Sequence, residues 1–162
     1  MSDDFDLERA IDEATGSTKH ATRDRPPTIR TAWDLDYTLA WPKPSLTGLH
    51  PKAITFDCDP ELHPLMGPFS HEVKCIITGR AEKYLAETKA IIRHLGLAPA
   101  VLLMNPIEYY SQDHIAMMKV KYLELIKAKV YVEENAHYRF VMKQWWNGEC
   151  VSVMEWLRDY SG

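Results

Sequence analysis

The chain has 162 residues, 46% of them hydrophobic, and a formal net charge of -4. That length and apolar content suit one globular domain with a sizeable core and leave no room for a second catalytic domain. The acidic balance, with a pI near 6.0, argues against nucleic-acid binding by bulk electrostatics, so any polyanion must be held locally.

Residues 1–27 are polar, carry charges of both signs and end at the chain-breaking pair Pro26-Pro27. They read as a flexible N-terminal arm with one short helix over Asp3–Ala14, ahead of a domain at residues 28–162. Met1 to Asp12 is acidic with no apolar stretch, and no later run approaches a membrane span, so a soluble, cytoplasmic protein is expected. Cys58, Cys75 and Cys150 are widely spaced, with no CxxC pair. They read as reduced thiols, with Cys75 and Cys150 in the core.

From Thr28 onward apolar runs alternate with helical patterns, the signature of a parallel sheet covered on both faces. Strands are expected at Thr28–Trp33, Val73–Thr78, Val101–Asn105, Lys129–Glu133 and Cys150–Met154. Helices are expected near Glu82–Leu95, His114–Ile126 and His137–Trp146. Gly96 sits where a helix stop is expected. The fold class is α/β: a three-layer, Rossmann-like open parallel sheet with helices on both faces and no large cap domain. In such a sheet ligands bind at the carboxyl ends of the strands, so the polar residues there carry the functional reading.

The first strand exits into Asp34-Leu35-Asp36-Tyr37-Thr38. Residues i and i+2 of a strand point the same way, so Asp34 and Asp36 can face one ligand. Taken alone, Asp-x-Asp is a turn or a helix cap. In a phosphoryl-transfer site, Asp34 attacks phosphorus, Asp36 handles the proton, and a magnesium ion offsets the charge repulsion.

The second strand ends in Thr78-Gly79-Arg80. The Thr78 hydroxyl is placed to anchor a phosphate oxygen, to cap the following helix, or both, while Gly79 permits close backbone approach. In the third helical segment Met118, Tyr122, Leu125 and Ile126 are spaced to pack on the sheet. Lys119 there is placed to reach over the strand ends, with Lys121 a competitor. The fourth strand runs into Glu133-Glu134, a candidate magnesium-binding end, with Asp34 and the Asp36 carbonyl completing the oxygen ligands.

In chain order these four elements resemble the haloacid dehalogenase superfamily of phosphohydrolases, whose pattern is Asp-x-Asp-x-Thr, then Ser or Thr, then Lys, then a strand ending in acidic residues. The likeness covers roughly residues 28–154. It implies Asp34 as nucleophile, Asp36 as general acid and base, Thr78 as phosphate anchor, Lys119 as charge stabiliser, and Glu133 or Glu134 with Asp34 and Asp36 as ligands of Mg2+. Thr38, Gly79 and Arg80 fall on the substrate. Lys119 is preferred to Lys121 because Leu123 follows it by four. One departure is the Glu-Glu pair where most members have Asp-Asp or Glu-Asp. Phe56-Asp57-Cys58-Asp59-Pro60 mimics the first motif, but Pro60 stands where the Thr-containing turn belongs.

Residues 40–72 are too short for a large cap, and residues 81–118 are taken up by a helix, a strand and a loop. The open site this implies, with the Thr38-to-Pro44 run, the Met104-Asn105-Pro106 loop and Gly148-Glu149-Cys150, is similar to the 3'-phosphatase domain of phage-type polynucleotide kinase phosphatases. A terminal phosphate on a polynucleotide 3' end is then the expected substrate, with Arg80, Lys43 and Trp41 contacting the nucleic-acid end. No Gly-Lys-Ser/Thr loop is present, so no kinase half is expected. The alternatives are a small-molecule phosphatase such as a nucleotidase, and a non-catalytic binding module. Trp145, Trp146 and Trp156 suit either core or interface.

Overall fold

The structure is a computed structural model that describes residues 29–43, 54–108 and 111–161. The expected N-terminal arm and its Asp3–Ala14 helix lie outside the described residues. Five parallel strands form the main sheet: β1 (Thr31–Trp33), β4 (Cys75–Ala81), β5 (Val101–Asn105), β6 (Val130–Val132) and β7 (Glu149–Val151). Their order is β5-β4-β1-β6-β7, with β1 at the centre. The chain builds outward from β1 through β4 to β5, then crosses to β6 and β7. The order therefore reverses beside β1, where an open sheet of this kind offers a crevice to a ligand.

Alternation along the strands sends neighbouring side chains to opposite faces. Trp33, Ile76, Val130 and Val132 join one apolar cluster, while Ala32, Cys75, Ile77 and Tyr131 join the other. Helices α1 (Leu85–His94) and α4 (Val153–Asp159) contribute Ile91, Ile92 and Trp156 to the first. Helices α2 (Gln112–Leu125) and α3 (Ala136–Trp145) contribute Ala116, Tyr122 and Met142 to the second. The protein is thus an α/β fold with apolar cores on both sheet faces.

Helix limits follow local chemistry. Ser111, Asn135 and Ser152 each accept a hydrogen bond from the backbone N–H three residues on, capping α2, α3 and α4. Gly96, at φ +77°, ends α1 in the left-handed region that glycine enters without strain.

Several expectations need correction. The fourth helix replaces the far end of the expected Cys150–Met154 strand, which stops at Val151. Ser152 and Glu155 form a reciprocal capping box that starts a helix there. Strand β4 begins at Cys75 rather than Val73 and continues past Thr78 to Ala81, so α1 begins at Leu85 after a 3-10 turn at Glu82–Tyr84. Residues 40–72 are more than loop, since β2 (Ala40–Pro42) pairs antiparallel with β3 (Pro60–Leu62). Leu125 is exposed rather than packed on the sheet, whereas Met118 and Tyr122 are buried as expected. Cys75 and Cys150 are buried thiols, both pushed up to about 12 by burial. Trp146 and Trp156 are core residues, and Trp145 is exposed.

Candidate active site

Three adjacent strands deliver the site. Asp34 follows β1, Thr78 lies on β4, and Glu133 follows β6. The Asp34 N–H donates to the Val132 carbonyl at 2.9 Å, and the Glu133 N–H to the Val151 carbonyl at 2.9 Å, so the sheet ladder itself fixes both carboxylates. Beyond Asp34 the chain turns sharply. The Leu35 carbonyl accepts from the Leu39 and Ala40 N–H groups, and Tyr37 takes φ +59°.

Lys119 settles its competition with Lys121. Its side chain is buried and its Nζ donates to Asp34 Oδ1 at 2.9 Å and to Glu133 Oε2 at 2.8 Å. The Tyr131 and Tyr138 rings lie 5.5 and 4.8 Å from the same ammonium, a further favourable setting for a desolvated cation. Burial pushes this ammonium toward neutrality, but the two carboxylates more than reverse that and hold it protonated. Lys121 is exposed.

With both carboxylates ionised, the two of them sharing one ammonium would leave the buried group one negative charge in excess, a state the Glu133 environment opposes. Burial, then the Asp34 charge, push the Glu133 carboxyl up to about 8 against the pull of Lys119. The second Asp34 oxygen accepts from the Thr38 hydroxyl at 2.9 Å, and that hydroxyl accepts from the Glu134 N–H at 3.1 Å. Glu134 itself accepts from the Val153 N–H at the start of α4, at 2.6 Å. Arg139 donates to the Glu133 and Glu134 carbonyls at 2.8 and 2.7 Å, steadying the acidic corner.

The all-oxygen donor set fits a hard divalent cation, whose binding would displace the Glu133 proton. Among the described residues no three His, Cys, Asp or Glu side chains gather as a ligand cluster. Magnesium needs only one or two carboxylates and keeps several waters, so the set here fits it. Asp34 with Glu133 or Glu134 would hold the ion.

Asp36 is bound in a way the sequence did not foretell. Arg80 donates to both its oxygens, from Nε at 2.8 Å and from Nη2 at 2.7 Å, and Nη2 also meets the Ile54 carbonyl. The Ile54 N–H donates to Asp36 at 3.2 Å. The Arg80 side chain is only 9% exposed, so it is a structural partner of Asp36 rather than a surface cation. Position alone, two residues after Thr78, gave no sign of this.

Thr78 is buried, and its hydroxyl accepts from the Arg80 N–H at 3.2 Å. The helix-cap reading of Thr78 fails because the strand continues beyond it. A side chain at Gly79 would come within 2.9 Å of Ile115, so the close approach it permits is that of β4 to α2. Lys43 pairs with Asp59 and Glu61, at 3.5 and 3.9 Å. Trp41 lines the cleft, its indole donating to the Thr38 carbonyl at 3.0 Å. The mimic of the first motif folds as a 3-10 turn, Phe56–Cys58, leading into β3.

Asp34, Asp36, Thr78, Gly79, Arg80, Lys119, Glu133 and Glu134 all line one cleft of about 1210 Å³. Thr38 is fully buried behind Asp34. No protein-family profile, curated protein or solved structure matches the chain. Among the described residues no helix is long and apolar enough to cross a membrane.

Proposed function

We propose that the protein is a magnesium-dependent phosphomonoester hydrolase of the haloacid dehalogenase kind, acting through an aspartyl-phosphate on Asp34. The observation that carries this reading is the buried Lys119 ammonium set between Asp34 and Glu133, in one cleft with Asp36, Thr78 and Arg80. A buried triad of charges costs desolvation, and strongly perturbed groups of this kind concentrate at functional sites.

The chemistry assigns each side chain one task. An Asp34 oxygen attacks phosphorus, forming the O–P bond as the bond to the leaving oxygen breaks, and Asp36 passes a solvent proton to that oxygen once Arg80 releases one of the two carboxylate oxygens it holds. Water then attacks the aspartyl-phosphate, Asp36 takes a proton from it, and inorganic phosphate leaves with Asp34 restored. Lys119 neutralises the nucleophile before attack and the transferred group during it. Thr38 orients Asp34, and the Thr78 hydroxyl, which lines the cleft, would donate to a phosphate oxygen. A magnesium ion held by Asp34 with Glu133 or Glu134 would, when bound, supply charge neutralisation for the transfer.

The terminal phosphate of a polynucleotide 3' end is the substrate the resemblance suggests. The cleft's acidic lining favours the second reading, a small phosphate ester. Phosphate release from oligonucleotide 3' ends and from mononucleotides, with magnesium or with chelator, tests both. No metal-dependent release from either class would leave the binding-module reading as the better account.

A further inference from the structure

The cleft is larger than a phosphoryl group requires, and one side of it lies beyond the catalytic carboxylates, toward the β4–β5 edge of the sheet. There the turn after β4 supplies Lys83 and Tyr84, α1 supplies Glu87, the segment after β5 supplies Glu108, and the first turn of α2 supplies Gln112. Tyr84 lines the cleft and is 47% exposed. Lys83 holds its ammonium 5.0 Å from the centre of that ring and bonds to Glu108, tying the two walls together.

The charge of the lining limits what can sit there. Among the described residues the cleft presents six carboxylates and three cations. Each cation is already engaged: Arg80 by Asp36, Lys119 by Asp34 and Glu133, and Lys83 by Glu108. A second phosphate on the leaving group would meet Glu87 or Glu108, with no unengaged cation among the described lining residues to receive it. A flat, uncharged group with amino donors suits the same surroundings, with a ring face to stack on, carboxylates to accept from an exocyclic amine, and an amide to read an edge.

We propose that Lys83, Tyr84, Glu87, Glu108 and Gln112 form a nucleobase subsite, and that the substrate is a nucleoside monophosphate whose base carries an amino group. The substrate claim rests on the phosphohydrolase reading, whereas the subsite stands or falls on binding alone.

Calorimetry in chelator separates the two. The probes are cytidine, cytidine 3'- and 5'-monophosphate, glycerol 3-phosphate and a 3'-phosphorylated oligonucleotide, against wild type, Tyr84→Ala, Tyr84→Phe and Trp41→Ala. A cytidine monophosphate is expected to bind at least about tenfold more tightly than glycerol phosphate, an advantage that Tyr84→Ala removes and Tyr84→Phe restores, as for stacking on an aromatic face. Equal affinities, an advantage lost only in Trp41→Ala, or tighter binding of the oligonucleotide overturns the proposal. Turnover with magnesium is read separately. Tyr84-dependent nucleotide binding without any phosphate release keeps the subsite and removes the hydrolase, while release with no base advantage does the reverse.

Discussion

Arg80 and Asp36, 44 residues apart in the chain, are joined by a two-pronged ion pair, with Nε on Oδ2 at 2.8 Å and Nη2 on Oδ1 at 2.7 Å. A bidentate guanidinium fixes the plane of a carboxylate as well as its position. Asp36 is therefore aimed by Arg80, and proton transfer to a leaving oxygen depends on that aim and on the opening of one of the two Arg80 bonds. Arg80→Ala is expected to lower kcat by about 100-fold, within the usual range for general acid–base catalysis. Arg80→Lys recovers only part of it, and added guanidinium restores turnover to Arg80→Ala. Full turnover in Arg80→Ala would remove this role.

Asp34→Asn keeps an oxygen acceptor for the Lys119 ammonium while ending nucleophilic attack. Turnover should fall by at least about 1000-fold, with an unchanged circular dichroism spectrum and no phosphate label retained on the denatured protein. Wild type quenched in acid should carry the label, and a label surviving in Asp34→Asn would mean another nucleophile.

Removing the Lys119 ammonium leaves Asp34 and Glu133 buried at close quarters with no counter-charge. Lys119→Met should cost about 3–5 kcal/mol in urea unfolding, the range for breaking a buried pair. Adding Glu133→Gln to that variant should return much of the loss, because the buried acid, which must either repel Asp34 or stay protonated at a cost, is then gone. Additive losses in the double variant would mean that the two side chains do not share the ammonium.

Glu133 gives the stability a pH dependence of defined sign. Its folded pKa, about 8, lies above the ordinary glutamate value of 4.5, so between those limits the folded state binds the proton that the unfolded state has released. Stability from this group is complete below pH 4.5 and is lost as pH rises toward 8. In chelator, Glu133→Gln should therefore gain on wild type between pH 5 and 8. A difference that is flat, or that shrinks as pH rises, would contradict the environment assigned to Glu133.

Trp156 joins the far end of the chain to the sheet. Its ring meets Trp33 edge-on at 4.6 Å and Phe69 at 5.8 Å. Trp156→Ala should cost about 3–5 kcal/mol through the cavity it leaves, lowering the melting temperature by roughly 10 °C for a chain of this size. A shift of only a degree or two would place this contact outside the cooperative core.

Strand and helix signals survive in a sequence when they are local. The apolar run before Asp34, the glycine after α1 and the alternation of strands with helices were all legible, and each rests on neighbours a few residues apart. The Ser152–Glu155 capping box was equally local and available, but the apolar Val151 and Val153 on either side of Ser152 masked it as strand. The β2–β3 hairpin was hidden for another reason: its strands are three residues each and rich in proline, too short for period-two patterning.

By itself the sequence determined which residue types stand at two strand exits, Asp34 and Asp36 after β1 and Glu133 and Glu134 after β6, whereas Thr78, expected at the end of β4, lies within it. That follows from periodicity, because a strand and its exit are read from contiguous residues. Only the tertiary structure decided that Lys119 rather than Lys121 reaches Asp34, that Glu133 shares its ammonium, and that Arg80 is bound to Asp36. Those choices depend on which side chains the β4–β1–β6 order brings within 3 Å across gaps of 14 to 85 residues. Neither helical spacing nor charge along the chain encodes a distance of that kind.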